Sequence, residues 1–140
     1  MARASQRTQA CDPADARRRL KQAQAMVLVA EIVEGDTSDV ALPSVSASLS
    51  VLAGIAAVDA ACCAALRKRS RGQSHMDAVR TVKPVAPHGD LLAKKLEVLV
   101  SAKDDSHYGL VLVSEKKALS LLRTARDLVA LAVEVVDTHA

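Results

Sequence analysis

Residues 51–66 read VLAGIAAVDAACCAAL, followed by Arg67-Lys68-Arg69-Ser70-Arg71, then Gly72 and, three positions on, His75. From Val51 to Leu66 every side chain is small or apolar except Asp59. A helix that is apolar all round has to be enclosed by other helices. Small residues at Gly54, Ala57, Ala61, Ala64 and Ala65 let those neighbours approach closely. The enclosed helix then exits into the most cationic point of the chain.

The rest of the sequence punctuates into further helices. Residues 1–11 are polar and read as a disordered tail ahead of one domain over 12–140. Asp12-Pro13 supplies a cap and a first-turn proline for a helix carrying Leu20, Ala23, Val27 and Ala30, which ends near Gly35. Pro43 opens the apolar helix, which is expected to run to about Arg69. Ser74 to Asp77 resembles a capping box for a short helix that Pro84 ends. A helix over about 91–106 presents Leu91, Leu92, Leu96, Leu99 and Val100 inward. Ser114 caps a last helix over about 115–137, with Ala118, Leu121, Leu122, Ala125, Val129, Ala132 and Val136 inward. The expected fold is all-α, an antiparallel bundle of four long helices plus one short helix.

Composition agrees. Trp and Phe are absent and Tyr108 is the only aromatic residue, so Ala, Val and Leu must build the core. Five glycines and four prolines are too few for an all-β chain. The net charge of +3 is uneven. Residues 1–71 hold ten Lys/Arg against seven Asp/Glu, and residues 72–140 hold nine of each. That bias permits a nucleic-acid partner without requiring one. The cysteines at 11, 62 and 63 lack metal-ligand spacing, and adjacent Cys62 and Cys63 would pair only with strain. They read as small buried hydrophobes in a reducing compartment. The polar N-terminus has no secretory pattern, and the sixteen-residue apolar run is short for a membrane span. A soluble, cytoplasmic protein without a membrane partner is expected.

Three places carry chemistry. Asp59 is a lone acid in an apolar wall and requires a cation or several donors. It either fixes helix register through a buried ion pair or orients a binding or catalytic group; a contact to Arg69, Lys103 or His107 would favour the second. Lys103-Asp104-Asp105-Ser106-His107-Tyr108 gathers a cation, a proton-transfer group and a phenol, with Lys103 and His107 one helical turn apart. The alternative is a solvated helix end with Tyr108 as a lid. Arg67 to His75 is denser in cations than helix capping requires, and Arg67, Lys68 and Arg71 suit a phosphate backbone. Aromatic platforms for base stacking are lacking. No Gly-rich phosphate loop, nucleophile elbow, His-Glu-x-x-His or Glu-x-x-His quartet is present, so neither metal nor cofactor is expected.

AGIAAVDAACCAAL, the turn RSRGQSHMDAV, and LLAKKLEVLVSAKDDSHYG followed by SEKKALSLLRTARDLV together resemble the HEPN superfamily over about residues 13–135. The resemblance implies a small antiparallel helical bundle, often dimeric, of bacterial toxin–antitoxin and defence systems, many of whose members are metal-independent ribonucleases. Active members carry an Arg followed, after four to six residues, by a His. Arg69 and His75 fit that spacing with five residues between them. Lys103 and His107 stand where the motif usually lies, with Lys in place of Arg and three residues between. Tyr108 resembles a Tyr often found just after it. The implied chemistry is attack of an RNA 2′-hydroxyl on its own phosphodiester. His107 or His75 would transfer the proton and Lys103 or Arg69 would stabilise the phosphorane. RNA, a second copy of the chain, and a cognate antitoxin or neighbouring-gene protein are the implied partners. The alternative is a non-catalytic interaction or dimerisation protein with an exposed apolar strip.

Overall fold

The computed structural model describes residues 7–72, 74–102 and 113–140, together with the backbone of 103–106. Its elements are β1 (Thr8–Ala10), α1 (Pro13–Gly35), α2 (Pro43–Leu66), β2 (Lys68–Ser70), α3 (His75–Val82), α4 (Gly89–Ser106) and α5 (Glu115–His139). The class is all-α, with one small antiparallel pair of strands.

The helix starts follow the expected local chemistry. Asp12 and Asp15 form a reciprocal capping box at the head of α1, each carboxylate accepting from the other residue's backbone N–H at 2.8 and 3.0 Å. Ser74 and Ser114 cap α3 and α5 by accepting from Met76 N–H and Lys117 N–H. Pro43 stands in the first turn of α2, where its missing N–H costs nothing.

Helix α2 is the hub. It packs on α1, α3, α4 and α5, and its residues from Val51 to Ala64 are buried apart from Leu52 and Ile55. Its length and apolarity would suit a membrane span, but most of it is enclosed by the other helices, which fits a soluble protein. A Cβ at Gly54 would collide with Leu99 Cδ1 of α4, so the glycine sets how near α4 lies to α2. The inward residues expected on α1 and α5 are all buried. On α4, Leu92, Leu96, Leu99 and Val100 are buried but Leu91 is 43% exposed. The phase set by Leu92, Leu96 and Leu99 turns Leu91 about 100° away.

Two sequence expectations fail at the cationic end of α2. The helix stops at Leu66 rather than Arg69, because Arg67 adopts the left-handed conformation (φ 60°, ψ 24°). The backbone after it pairs with residues expected to be a disordered tail: Thr8, Gln9 and Ala10 lie opposite Ser70, Arg69 and Lys68. Backbone hydrogen bonds extend the pairing on both sides, from Cys11 N–H to Arg67 O at 3.0 Å and from Arg71 N–H to Arg7 O at 2.8 Å. The third correction concerns the cysteines. Cys11 and Cys63 form a disulfide with a Cα–Cα distance of 5.3 Å, and only Cys62 keeps the expected role of a buried free thiol. The partner of Cys63 lay 52 residues away, on a segment whose composition gave no reason to be ordered.

Candidate anion-binding cleft

Asp59 is 5% exposed, and two arginines from different elements meet it. Arg19 of α1 donates to Asp59 Oδ2 from Nη2 at 2.7 Å and from Nε at 3.3 Å. Arg69 of β2 places Nη1 3.9 Å from the same oxygen. Arg19 also donates from Nη1 to Gln22 Oε1 at 2.7 Å, and Arg69 from Nη2 to Gln9 Oε1 at 3.1 Å. Each guanidinium is thus held between the buried acid and a side-chain amide. Both keep about a third of their side-chain surface exposed.

The acid's protonation follows from this placement. Burial pushes the Asp59 carboxyl above its ordinary range, and the Arg19 hydrogen bond and charge, then the charges of Arg69 and His75, pull it back without fully offsetting the desolvation. Burial next to Asp59 drives the Cys62 thiol up to about 12, so it stays protonated and inert.

Above Asp59 opens a cleft of about 340 Å³, lined by Arg19, Asp59, Arg69, Arg71, Ser74 and His75 among others. The local chain path explains the convergence. Left-handed Arg67 turns the chain out of α2, the pairing with β1 holds Arg69 in extended backbone, and the Ser74 cap starts α3 so that His75 is its first residue. Gly72 passes so close to the Asp77 carboxylate that a Cβ there would overlap it. Three guanidiniums and an imidazole therefore face one buried carboxylate across a shared space, an arrangement that attracts an anion.

The sequence-derived site residues divide. Asp59, Arg69, His75 and Arg71 come together here. Arg67 serves as the cap of α2, and exposed Lys68 lies outside the lining. His107, Tyr108 and the Lys103 side chain lie outside the described residues, so the alternative motif there has no geometry to set beside this one. Arg19 was missed. The run Arg17-Arg18-Arg19 was visible, but only Arg19 flanks the inward stripe at Ala16, Leu20 and Ala23 on the side facing α2. Among the described residues, no group of His, Cys, Asp and Glu is arranged to hold a metal ion. Comparison with protein-family models, with curated proteins and with solved structures gives no match.

Proposed function

We propose that this chain is a HEPN-like cytoplasmic protein that acts on RNA, with the phosphodiester seated in the cleft above Asp59. One observation carries the reading: Arg69 and His75, which fit the spacing of the family motif, line the same cleft, with Arg19 and Arg71 beside them. Asp59 works here as a positioning residue, since it holds Arg19 and Arg69 at the floor without itself meeting the substrate. Among the described lining residues there is no Phe, Tyr or Trp, and His75 carries the one ring, so binding would run along the backbone and read few bases.

In this reading the 2′-oxygen attacks the adjacent phosphorus and forms a P–O bond while the 5′-oxygen leaves. His75 moves the proton and Arg69 stabilises the pentacoordinate phosphate. The products are a 2′,3′-cyclic phosphate and a 5′-hydroxyl. The test is incubation of a labelled single-stranded RNA with the protein in excess chelator. Wild type should cleave it, a DNA of the same sequence should survive, and Arg69→Ala or His75→Ala should each lose about a hundredfold or more in rate. His107→Ala serves as a control for the other motif position. Cleavage unaffected by Arg69→Ala and His75→Ala would end the assignment of the chemistry to this cleft.

A second reading, a non-catalytic interaction protein, is favoured by an apolar line along α2. Val45 and Leu52 are exposed, Leu49 and Ile55 between and beyond them are partly buried, and Ile55 reaches the cleft lining. A second copy, or an antitoxin-like protein encoded nearby, would cover such a line. Sedimentation showing a monomer at high concentration, with no complex formed with a neighbouring-gene product, would count against it.

A further inference from the structure

The basic cleft continues into a recess of about 220 Å³ that shares Gln9, Arg19 and Arg69 with it and has Arg18, Cys11 and Cys63 in its wall. The floor of the anion groove therefore adjoins the disulfide. Cys63 is fully buried, whereas Cys11 is partly exposed. We propose that the Cys11–Cys63 bond is a thiol-reducible latch that holds β1, one wall of the groove, in place, so that the oxidation state of the chain sets its affinity for polyanions.

Apart from the disulfide, little holds β1. Arg7 to Ala10 are all exposed, so no apolar burial anchors them. Among the described residues, what remains is the three-residue ladder to β2, the flanking bonds at Arg7 and Cys11, the Gln9–Arg69 contact, and the packing of Cys11 at the core's edge. The net gain from an exposed hydrogen bond does not exceed the conformational entropy lost by the residue it orders, and an isolated pair of short strands is marginal in water. The covalent tie is therefore what keeps β1 seated. Cutting it releases Gln9 from Arg69 and leaves β2 without its paired strand, which unfixes the Arg69 guanidinium.

The exchange chemistry has an entry point. A small thiolate approaching through the recess meets the guanidiniums of Arg18, Arg19 and Arg69, whose charge outweighs the Asp15 carboxylate beside them. It attacks Sγ of Cys11, the less buried cysteine of the pair, in the recess wall. A new S–S bond forms there, the bond to Cys63 breaks, and Cys63 leaves as a thiolate that takes a proton from solvent. A second thiol of the reductant then attacks the mixed disulfide, freeing Cys11 and leaving the two reductant sulfurs joined. Cys62, held protonated by its burial, takes no part.

Control of affinity rests on the reading of the cleft as an anion site, whereas release of β1 does not. The experiment separates them by following wild-type protein before and after dithiothreitol with two readouts: amide hydrogen exchange at residues 7–11, and affinity for a fluorescein-labelled single-stranded oligouridylate. Reduction should abolish protection of the Gln9 and Cys11 amides, which face β2 in the ladder, and weaken binding about tenfold through lost preorganisation. Cys11→Ser should show the weak state with or without reductant. Iodoacetamide should label Cys11 of the reduced chain and spare Cys62. Protection of the Gln9 and Cys11 amides that survives reduction overturns the latch. Unlatching without a change in affinity overturns its control of the groove. Oxidised protein with no affinity for the RNA would refute the anion site itself, with the exchange data still deciding whether β1 is released.

Discussion

Arg19 and Asp59, forty residues apart on α1 and α2, meet at 2.7 Å across the top of the helical core. The pair tethers the two helices where the cleft opens. A buried charge left without its partner is costly, commonly about 3 kcal/mol. Arg19 is one-third exposed, and Arg69 remains nearby, so Arg19→Ala should cost about 2 kcal/mol. Arg18→Ala, which breaks the exposed pair with Asp15, should cost far less, because solvent screens that pair. Urea unfolding of the two variants measures the contrast, and equal effects would mean that Asp59 does not depend on Arg19.

The raised carboxyl of Asp59 fixes the sign of a pH effect. The folded state holds this proton more tightly than the unfolded chain, whose value is about the ordinary 3.8. Ionising it on folding therefore costs stability, and the cost develops as pH rises from 3.8 through the folded value. The stability of wild type relative to Asp59→Asn should improve as pH is lowered through that window. Denaturant midpoints of both proteins between neutral pH and about 4 check the direction. Asp15 and Asp36, held below their ordinary range by hydrogen bonds from neighbouring backbone N–H groups, act in the opposite sense in both proteins and cancel from the difference.

Gly54 faces Leu99 with no room for a methyl group. Gly54→Val should lower stability by about 1–3 kcal/mol through overpacking. Leu99→Ala should rescue part of that loss, giving a coupling in a double-mutant cycle. Additive effects would mean that α4 does not approach α2 at this point.

Arg67 ends α2 in a conformation that disfavours any residue with a Cβ. Arg67→Gly should raise stability by about 1 kcal/mol, seen as a higher melting temperature. Because Arg67 is outside the cleft lining, its removal should leave the RNA affinity dependent on Arg71.

Much of this was legible in the sequence. The alanine-dense run from Val51 to Leu66 marks a helix that has to be enclosed, and the Asp12-Pro13, Ser74 and Ser114 signals set helix starts that the structure reproduces. These are local effects, carried by a few adjacent side chains. The end of α2 was not legible, because the left-handed turn falls on Arg67, where a glycine would have announced it. Nor were Arg19–Asp59 and Cys11–Cys63. Each joins segments that share no local pattern, and only tertiary packing brings them together. The lone acid at 59 announced that a cation was needed but not which one.

Salt dependence gives the cleft a quantitative check. On single strands each neutralised phosphate contributes about −0.7 to the slope of log affinity against log salt. If Arg19, Arg69 and Arg71 each meet a phosphate, wild type should show a slope near −2. Arg71→Ala should reduce its magnitude by about 0.7 with the fold intact.

The seat of the phosphodiester is the claim on which the account turns, and nuclear magnetic resonance of isotopically labelled protein titrated with a single-stranded oligouridylate tests it most directly. Resonances of Arg19, Asp59, Arg69 to Gly72 and His75 to Ala78 should shift most and saturate together. Saturable binding that leaves those resonances still, with the shifts gathered along Val45 and Leu52 or elsewhere, would contradict it.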